Sequence, residues 1–491
     1  VDRETAQTLG ELERKLGELE RELAAVGGGD HGRLVDEAAQ PSASTSAPVS
    51  PALAPSAPAP PRSPLPPPPP APPAPAGARA AAPNASPGAE ELLRFRERLE
   101  QTAAGLTRDY DELLGRLSFA AVPAPATAAA VGPAISFARG APSLDIIDVD
   151  GLREAAARAL ESDAGAATAY GTSVGYLKLR AWIAEKHGVA PENVIVTNGS
   201  MQADAFLFEQ LVGAGDEVVV ERPTYDRTLL SLRKRGARVH AVELQPDGID
   251  TDALGRLLAG PAGAKPKLAH VIPNFQNPAG YTLSAAKRRE LLRLAAEHGF
   301  VVFEDDPYVD LRFEGEPIET MLSLDPERVV YASSFSKTVC PGIRVGYLVG
   351  PRELIAGVAE LATNTYISPS MVAQAIVYEF CASGAIERSI ATVRAALAQR
   401  AGALARALRR ELPEAGFMAP QGGYFMWVTL PPGTDVARLF ELAAECGVAF
   451  VKGTDFMLEG GENTLRLAYS GVTPAQIDEG VARLAAAYRS L

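Results

Sequence analysis

Seven short apolar runs constrain this chain more than any other feature: 194–197, 217–221, 238–243, 268–272, 300–304, 328–333 and 344–350. Each has the length of a strand and is rich in β-branched residues, and helix-length segments separate most of them. Parallel strands need long crossover connections and are buried on both faces, so they read as continuous apolar runs rather than alternating ones. The pattern therefore predicts an α/β fold, with a seven-stranded, mainly parallel sheet covered by helices on both sides. From about Pro351 the chain holds helices and a few amphipathic strands such as 424–430, which reads as a smaller α+β domain. In an open α/β sheet the ligand lies beyond the carboxyl ends of the strands. The residues that follow each run are therefore where chemistry is to be sought.

Composition removes several functions. The chain has 491 residues with 47 basic and 60 acidic side chains, a formal net charge of -13. That balance opposes generic nucleic-acid binding, which draws its affinity from neutralised phosphates. Cys340, Cys381 and Cys446 stand singly, with no CxxC pair and no histidine cluster, so neither a disulfide framework nor a metal site is expected. No stretch reaches the roughly 18 apolar residues of a membrane span, and the first 26 residues alternate charge with leucine rather than forming a signal peptide. A cytoplasmic protein without membrane or nucleic-acid partners is expected.

The chain ahead of the sheet is of another kind. Of 40 prolines, 18 fall between Pro41 and Pro87, with Arg62 and Arg79 the only charges there. Such a tract buries too little apolar surface to offset its ordering entropy, and runs such as 66–70 favour extended polyproline II. Residues 31–88 are therefore expected to be a disordered linker, a plainer reading than an SH3-type ligand. Before it, Leu9, Leu12, Leu16, Leu19, Leu23 and Val26 repeat at alternating spacings of 3 and 4, predicting a coiled-coil helix over 1–30. After it, Leu92, Phe95, Leu99, Leu106, Tyr110, Leu113 and Leu117 predict an amphipathic helix over 89–120. Neither helix carries ionisable residues arranged for chemistry, so both read as oligomerisation or docking elements. The remainder divides into 131–170 (an N-terminal arm and part of the small domain), 171–350 (the large domain) and 351–491 (the small domain).

The strand ends carry the chemistry. Ser333-Ser334-Phe335-Ser336-Lys337 follows the sixth run, with Arg344 seven residues on. A lysine among hydroxyls beside an arginine suits a Schiff-base amine next to a phosphate cradle, although a lone lysine is more often a solvated surface charge. Asp305, Asp306 and Tyr308 follow the fifth run. A buried carboxylate keeps a pyridine nitrogen protonated and a tyrosine hydroxyl reaches a phenolate oxygen, whereas helix capping is the bland role for either acid. Asn198-Gly199-Ser200-Met201 opens a helix after the first run and offers free N–H groups to an anion. Tyr225 follows the second run, where its ring is free to stack on a flat cofactor, and Asn277-Pro278-Ala279-Gly280 follows the fourth. Each motif alone is ambiguous, but five of them fall on one rim in order.

In that order the chain resembles the fold-type I pyridoxal-phosphate (PLP) aminotransferases of class I/II, nearest to the branch with alpha-aminoadipate and aromatic aminotransferases. The resemblance runs from about Ile135 to the C-terminus. It implies PLP as cofactor, held in the large domain, with Lys337 as the Schiff-base and proton-shuttling lysine. It implies Asp305 on the pyridine nitrogen, Tyr308 and Asn277 on the 3′-oxygen, and Tyr225 stacked on the ring. Ser200, Met201 through its backbone, Ser334, Ser336 and Arg344 would hold the phosphate. Tyr170 would reach the phosphate of a neighbouring subunit, which implies a homodimer. Arg466 would clamp the substrate carboxylate, with Gly140, Asn277 and Arg139 also facing the substrate. Arg139 reads equally as a recognition residue for a second acidic group and as a surface residue, and Tyr366 and Tyr424 equally as pocket or packing residues.

The chain departs from the branch at Met201, where a polar residue is frequent, and at Leu144-Asp145-Ile146-Ile147-Asp148, which lacks the usual Phe-Pro. The N-terminal extension is also atypical. The expected activity is transamination between an amino acid and a 2-oxo acid. The alternative is a fold-type I enzyme of specialised metabolism catalysing decarboxylation, β/γ-elimination or replacement, or carbon–carbon bond formation. A third reading, a transcription regulator with an aminotransferase-like sensor, lacks a basic recognition helix.

Overall fold

The computed structural model describes residues 133–491. The expected helices at 1–30 and 89–120 and the linker at 31–88 lie outside the described residues.

All seven runs are strands of one sheet, which gains an eighth. In chain order they are β1 (Val194–Thr197), β2 (Glu217–Arg222), β3 (Arg238–Gln245), β4 (Gly248–Ile249), β5 (Pro266–Val271), β6 (Val301–Asp305), β7 (Val329–Ser334) and β8 (Gly346–Val349). Their order across the sheet is β1-β8-β7-β6-β5-β2-β3-β4. The strands from β7 through β6, β5 and β2 to β3 pair in parallel, while β8 runs antiparallel to both β1 and β7. The seven-stranded expectation misses β4, a two-residue strand that pairs back on β3. Two residues carry no periodicity, and a glycine, here at φ 110°, reads in sequence as a turn. The last run also shortens, because Arg344 is left-handed, at φ 52°, and lies outside the ladder.

Successive strand residues face opposite sides of the sheet. Val194, Val196, Val219, Ala269, Val302 and Tyr331 build one core, with Leu291 and Leu294 from the helix Ala285–His298. Ile195, Val218, Val220, Leu268, Phe303 and Val330 build the other, with Phe206 and Leu207 from the helix Ser200–Leu211.

The smaller sheet is antiparallel, with β9 (Gly416–Phe417), β10 (Phe425–Thr429), β11 (Val451–Lys452) and β12 (Thr464–Ala468) in the order β9-β10-β12-β11. Side chains from the helices Ala385–Glu411, Val436–Glu445 and Pro474–Tyr488 share its core, and Ile135 and Phe137 join it.

Segments on either side of 351 pack on the large sheet. Ile355, Val358 and Ala362 of the helix Arg352–Tyr366 lie in one core of the large sheet, and Ala375 and Phe380 of the helix Met371–Ala382 lie in the other. The 27-residue helix Ala385–Glu411 contributes to both cores. Its Ala385 and Ile386 belong to the large-sheet core, and Val393, Leu397 and Leu404 to the small one. Within 131–170, Ala155, Ala159 and Ala167 of the helix Val149–Thr168 likewise pack with the large sheet. Periodicity says that a helix has an apolar face, not which sheet receives it.

Candidate active site

Beyond the carboxyl ends of β1, β2, β5, β6 and β7 lies a cavity of about 500 Å³, to which the small domain contributes Phe425, Val451, Phe456 and Arg466. Of the residues singled out from the sequence, the cavity gathers Gly140, Ser200, Met201, Tyr225, Asn277, Asp305, Tyr308, Ser334, Ser336, Lys337, Arg344 and Arg466. It does not gather Tyr170, which is 89% exposed, or Arg139, which is exposed and lines a neighbouring cleft with Leu144 and Cys340.

Lys337 lies three residues past the end of β7. Its Nζ donates to the Gly140 carbonyl at 2.8 Å and lies 5.7 Å from the Tyr308 ring and 5.1 Å from the Tyr424 ring. Burial first, then the charges of Arg466 and Arg344, push this amine down to about 8, while Asp305 opposes them. Burial disfavours an ammonium because it loses hydration, and neighbouring cations add to the effect. The amine is thereby poised near the range in which its neutral, nucleophilic form is populated.

Asp305 ends β6 on the cavity side. Its Oδ1 is buried without a hydrogen-bond partner, and its Oδ2 lies 3.5 Å from His270 Nε2. Buried polar atoms are ordinarily paired, so this open acceptor marks a place for a donor that the protein does not supply.

The anion end is built from backbone and hydroxyls. Gly199, at φ 88°, precedes the helix Ser200–Leu211, whose first turn has no side-chain cap. A Cβ on Gly199 would stand 2.1 Å from Arg344 Nη2, so only glycine permits this approach. Arg344 donates to Ser336 Oγ at 3.3 Å and to the Asn198 carbonyl at 3.4 Å, and the hydroxyls of Ser334 and Ser336 are linked at 2.9 Å. Free helix-terminal N–H groups, two hydroxyls and a guanidinium make an anion cradle.

At the opposite end Arg466 is 7% exposed. Nη1 donates to Asn277 Oδ1 at 2.8 Å and Nη2 to the Ala138 carbonyl at 2.7 Å, while the rings of Phe425 and Phe456 stand 4.3 and 4.8 Å from its carbon. The aromatic walls fix the guanidinium plane, and Nε remains unpaired.

Several contributors escaped the sequence reading. Glu221, at the end of β2, accepts from Ile272 N and from Gln276 Nε2, and Gln276 in turn donates to the Pro223 carbonyl and accepts from Ala279 N. This brace shapes the Asn277 loop. Burial pushes Glu221 up to about 8. Tyr424, left open between pocket and packing, donates to the Lys337 carbonyl at 3.2 Å, beneath the lysine. Tyr366 packs on Phe206 and donates to the Ser173 carbonyl, outside the cavity. Asp204 also lines the cavity, and its position four residues after Ser200, on the same helix face, is the signal that was available.

The residues fit PLP. Asp305 leaves an acceptor for a ring nitrogen, Lys337 an amine for an aldehyde, and the cradle an anion site, all within one cavity large enough for a cofactor with a small substrate. Fold and cavity together define a PLP enzyme of fold type I. Residues 133–484 match the family described as Aminotransferase class I and II. A 2-aminoadipate transaminase of Thermus thermophilus is 36% identical over 363 residues, 73% of this chain and 90% of the relative. Aromatic-amino-acid aminotransferase 1 of Thermococcus litoralis is 33% identical over 368 residues, 72% and 87%. The crystal structure of the alpha-aminoadipate aminotransferase from Thermus thermophilus, complexed with N-(5′-phosphopyridoxyl)-L-leucine, superimposes with a TM-score of 0.70 at 35% identity, covering 73% of this chain and 92% of that one. The chain belongs to the class I/II aminotransferases, in the aminoadipate and aromatic branch, and is a PLP-dependent enzyme that moves amino groups between amino acids and 2-oxo acids through a lysine Schiff base.

Proposed function

We propose that Lys337 is that lysine, and that the cavity divides the work among its walls. Bound PLP supplies an electrophilic carbon for the amine and an electron sink for the bond broken at Cα. Lys337, placed between the Tyr308 and Tyr424 rings, carries the proton to and from the reacting carbon. Asp305 pairs with the ring nitrogen, and Tyr308 and Asn277 face the 3′-oxygen. Tyr225 stacks on the ring, and Ser200, the Met201 backbone, Ser334, Ser336 and Arg344 hold the phosphate. Arg466 fixes the substrate carboxylate, since a planar fork suits two oxygens better than a point charge does. Gly140 closes over Phe425, where a Cβ would stand 2.4 Å from the ring. The single observation that carries the assignment is the amine of Lys337 in the cavity that the open acceptor of Asp305 also lines.

The substrate side of the cavity is lined by Val451, Phe456 and Phe425. An amino acid with a long or aromatic side chain suits such walls, in keeping with the aminoadipate and aromatic amino acids for which the relatives are named. A homodimer in the cytoplasm, without membrane or nucleic-acid partners, completes the reading. Among the described residues no helix is long and apolar enough to cross a membrane. Tyr170, Leu177, Ile367 and Val372 are exposed large apolar side chains. The segment carrying the last two is tied to the cradle where Ser370 N donates to Asn198 Oδ1 at 3.3 Å. A second copy covering that surface brings its own Tyr170 to the cradle.

The experiment is the visible spectrum of the purified enzyme titrated with a panel of amino acids, followed by mass spectrometry of the released cofactor. Pyridoxamine phosphate formed with wild type but not with Lys337→Ala supports the assignment, and full turnover by the variant refutes it. A fully active monomer in analytical ultracentrifugation refutes the dimer.

A further inference from the structure

The helix Ser200–Leu211 places Ser200 and Asp204, one turn apart, in the wall of the same cavity. Asp204 is more than nine-tenths buried, and its Oδ1 has no partner. Its helix neighbours Ala203, Leu207 and Phe208 are fully buried in the apolar core under the sheet, so this is not a surface carboxyl that happens to lean inward. Asp305, which acts electrostatically on Asp204, has an equally buried and unpartnered Oδ1. Asp204 and Asp305 line the same cavity, so a charge on one opposes a charge on the other. Burial first, then the charge of Asp305, push Asp204 well above the ordinary carboxylate range, which favours its protonated form. A protonated carboxyl has one O–H to donate, and a carboxylate accepts at up to about four lone pairs. Asp305 therefore has room for a ring nitrogen and for Asp204 together.

We propose that Asp204 is a positioning residue for the pyridine edge of the cofactor, its carboxyl donating a hydrogen bond to Asp305. The inference rests on the reading of Asp305 as the partner of the ring nitrogen. The groups that face this pair are Tyr225, whose hydroxyl is raised by burial and then by Asp226, Asp204 and Asp305; Lys337, Glu221 and Tyr308, on each of which Asp305 acts; and His270, fully buried with its Nε2 3.5 Å from Asp305 Oδ2. With Asp204 donating from the cavity side and His270 Nε2 standing 3.5 Å from Oδ2, Asp305 is held from both sides, and its open Oδ1 stays directed at the cofactor.

The test uses the full-length protein with PLP and reads two quantities: the affinity for PLP, and the pH midpoint of the visible absorption change of the holoenzyme. Asp204→Asn keeps the shape and an N–H donor but carries no charge in any state; Asp204→Ala removes the donor. Expected for Asp204→Ala is about tenfold weaker PLP binding, the scale of one hydrogen bond to a charged group, with a midpoint displaced by about half a pH unit or more. Expected for Asp204→Asn is rescue, with affinity within about threefold of wild type and a midpoint within about 0.3. An alanine variant that changes neither quantity, or lowers only the melting temperature of the cofactor-free protein, overturns the proposal. So does an asparagine variant whose midpoint moves by more than about one pH unit, since that is the effect of deleting a buried negative charge. Asp305→Asn serves as the control. If it leaves the midpoint unchanged, the reading of Asp305 itself has failed, and that failure is separable from a failure at Asp204.

Discussion

Stripping the cofactor exposes the cost of confining the Lys337 amine. In the fold this group stands at about 8, held there by burial, Arg466 and Arg344, against an ordinary value of 10.5. Between those two pH values the unfolded chain binds more protons at Lys337 than the folded one, so stability rises with pH across that window. Below about 8 both states are protonated and the destabilisation is complete; above about 10.5 both are neutral and it has vanished. At 1.36 kcal/mol per pH unit the gap is worth about 3 kcal/mol. Lys337 retains some contact with solvent in the cavity, which lowers the expectation to about 2 kcal/mol. Lys337→Met keeps an unbranched chain of similar volume and removes the charge. Cofactor-free Lys337→Met is therefore expected to resist urea better than cofactor-free wild type by about 2 kcal/mol at pH 7, with the advantage shrinking toward zero by pH 10.5. Both proteins must be compared at one protomer concentration, because association adds to apparent stability. Equal stability at pH 7, or an advantage of constant size across the range, refutes the electrostatic account of Lys337.

Other perturbations address other walls of the cavity. Arg466→Lys forfeits the paired donors and the aromatic sandwich, so kcat/KM for every amino acid should fall by about 30- to 1,000-fold while the visible spectrum of the holoenzyme stays unchanged; a loss under threefold excludes Arg466 as the carboxylate clamp. Gly199→Ala places a methyl group against Arg344 and strains a residue at φ 88°, and equilibrium dialysis should show PLP binding weakened by about tenfold or more. Glu221 is raised to about 8 by burial, so the folded state binds the extra proton between about 4.5 and 8 and stability due to this group is lost as pH rises through that window. Glu221→Gln preserves an acceptor for Ile272 N and does not titrate, so its stability relative to wild type should grow from pH 5 to pH 8. A difference that is flat with pH would mean that Glu221 is ionised in the fold.

The parts of this molecule that were legible in the sequence are those in which one-dimensional pattern and three-dimensional burial coincide. A strand buried on both faces must be apolar along its length, and β1, with all four residues buried, leaves no other reading of Val194-Ile195-Val196-Thr197. The rim was legible for a related reason. Strand ends in such a sheet share an edge, so Ser200, Asp305 and Lys337 are brought into one cavity although more than a hundred residues separate the first from the last. What stayed hidden depends on partners far away in the chain. Tyr424 matters because its hydroxyl meets the Lys337 carbonyl across 87 positions, and Glu221 because it braces Gln276 across 55. No spacing rule anticipates either pairing.

Asp204 belongs to a third kind, an acid in an apolar helix, where the sequence shows a conflict with burial but not its resolution. In isolation, a carboxyl among Ala203, Phe206, Leu207 and Phe208 reads as the exposed edge of an amphipathic helix. The structure places it on the buried side, where burial pushes it well above the ordinary carboxylate range and favours its neutral form. That exception to local pattern falls against the cofactor cavity and not elsewhere along the helix, as expected where binding, rather than packing, has set the residue.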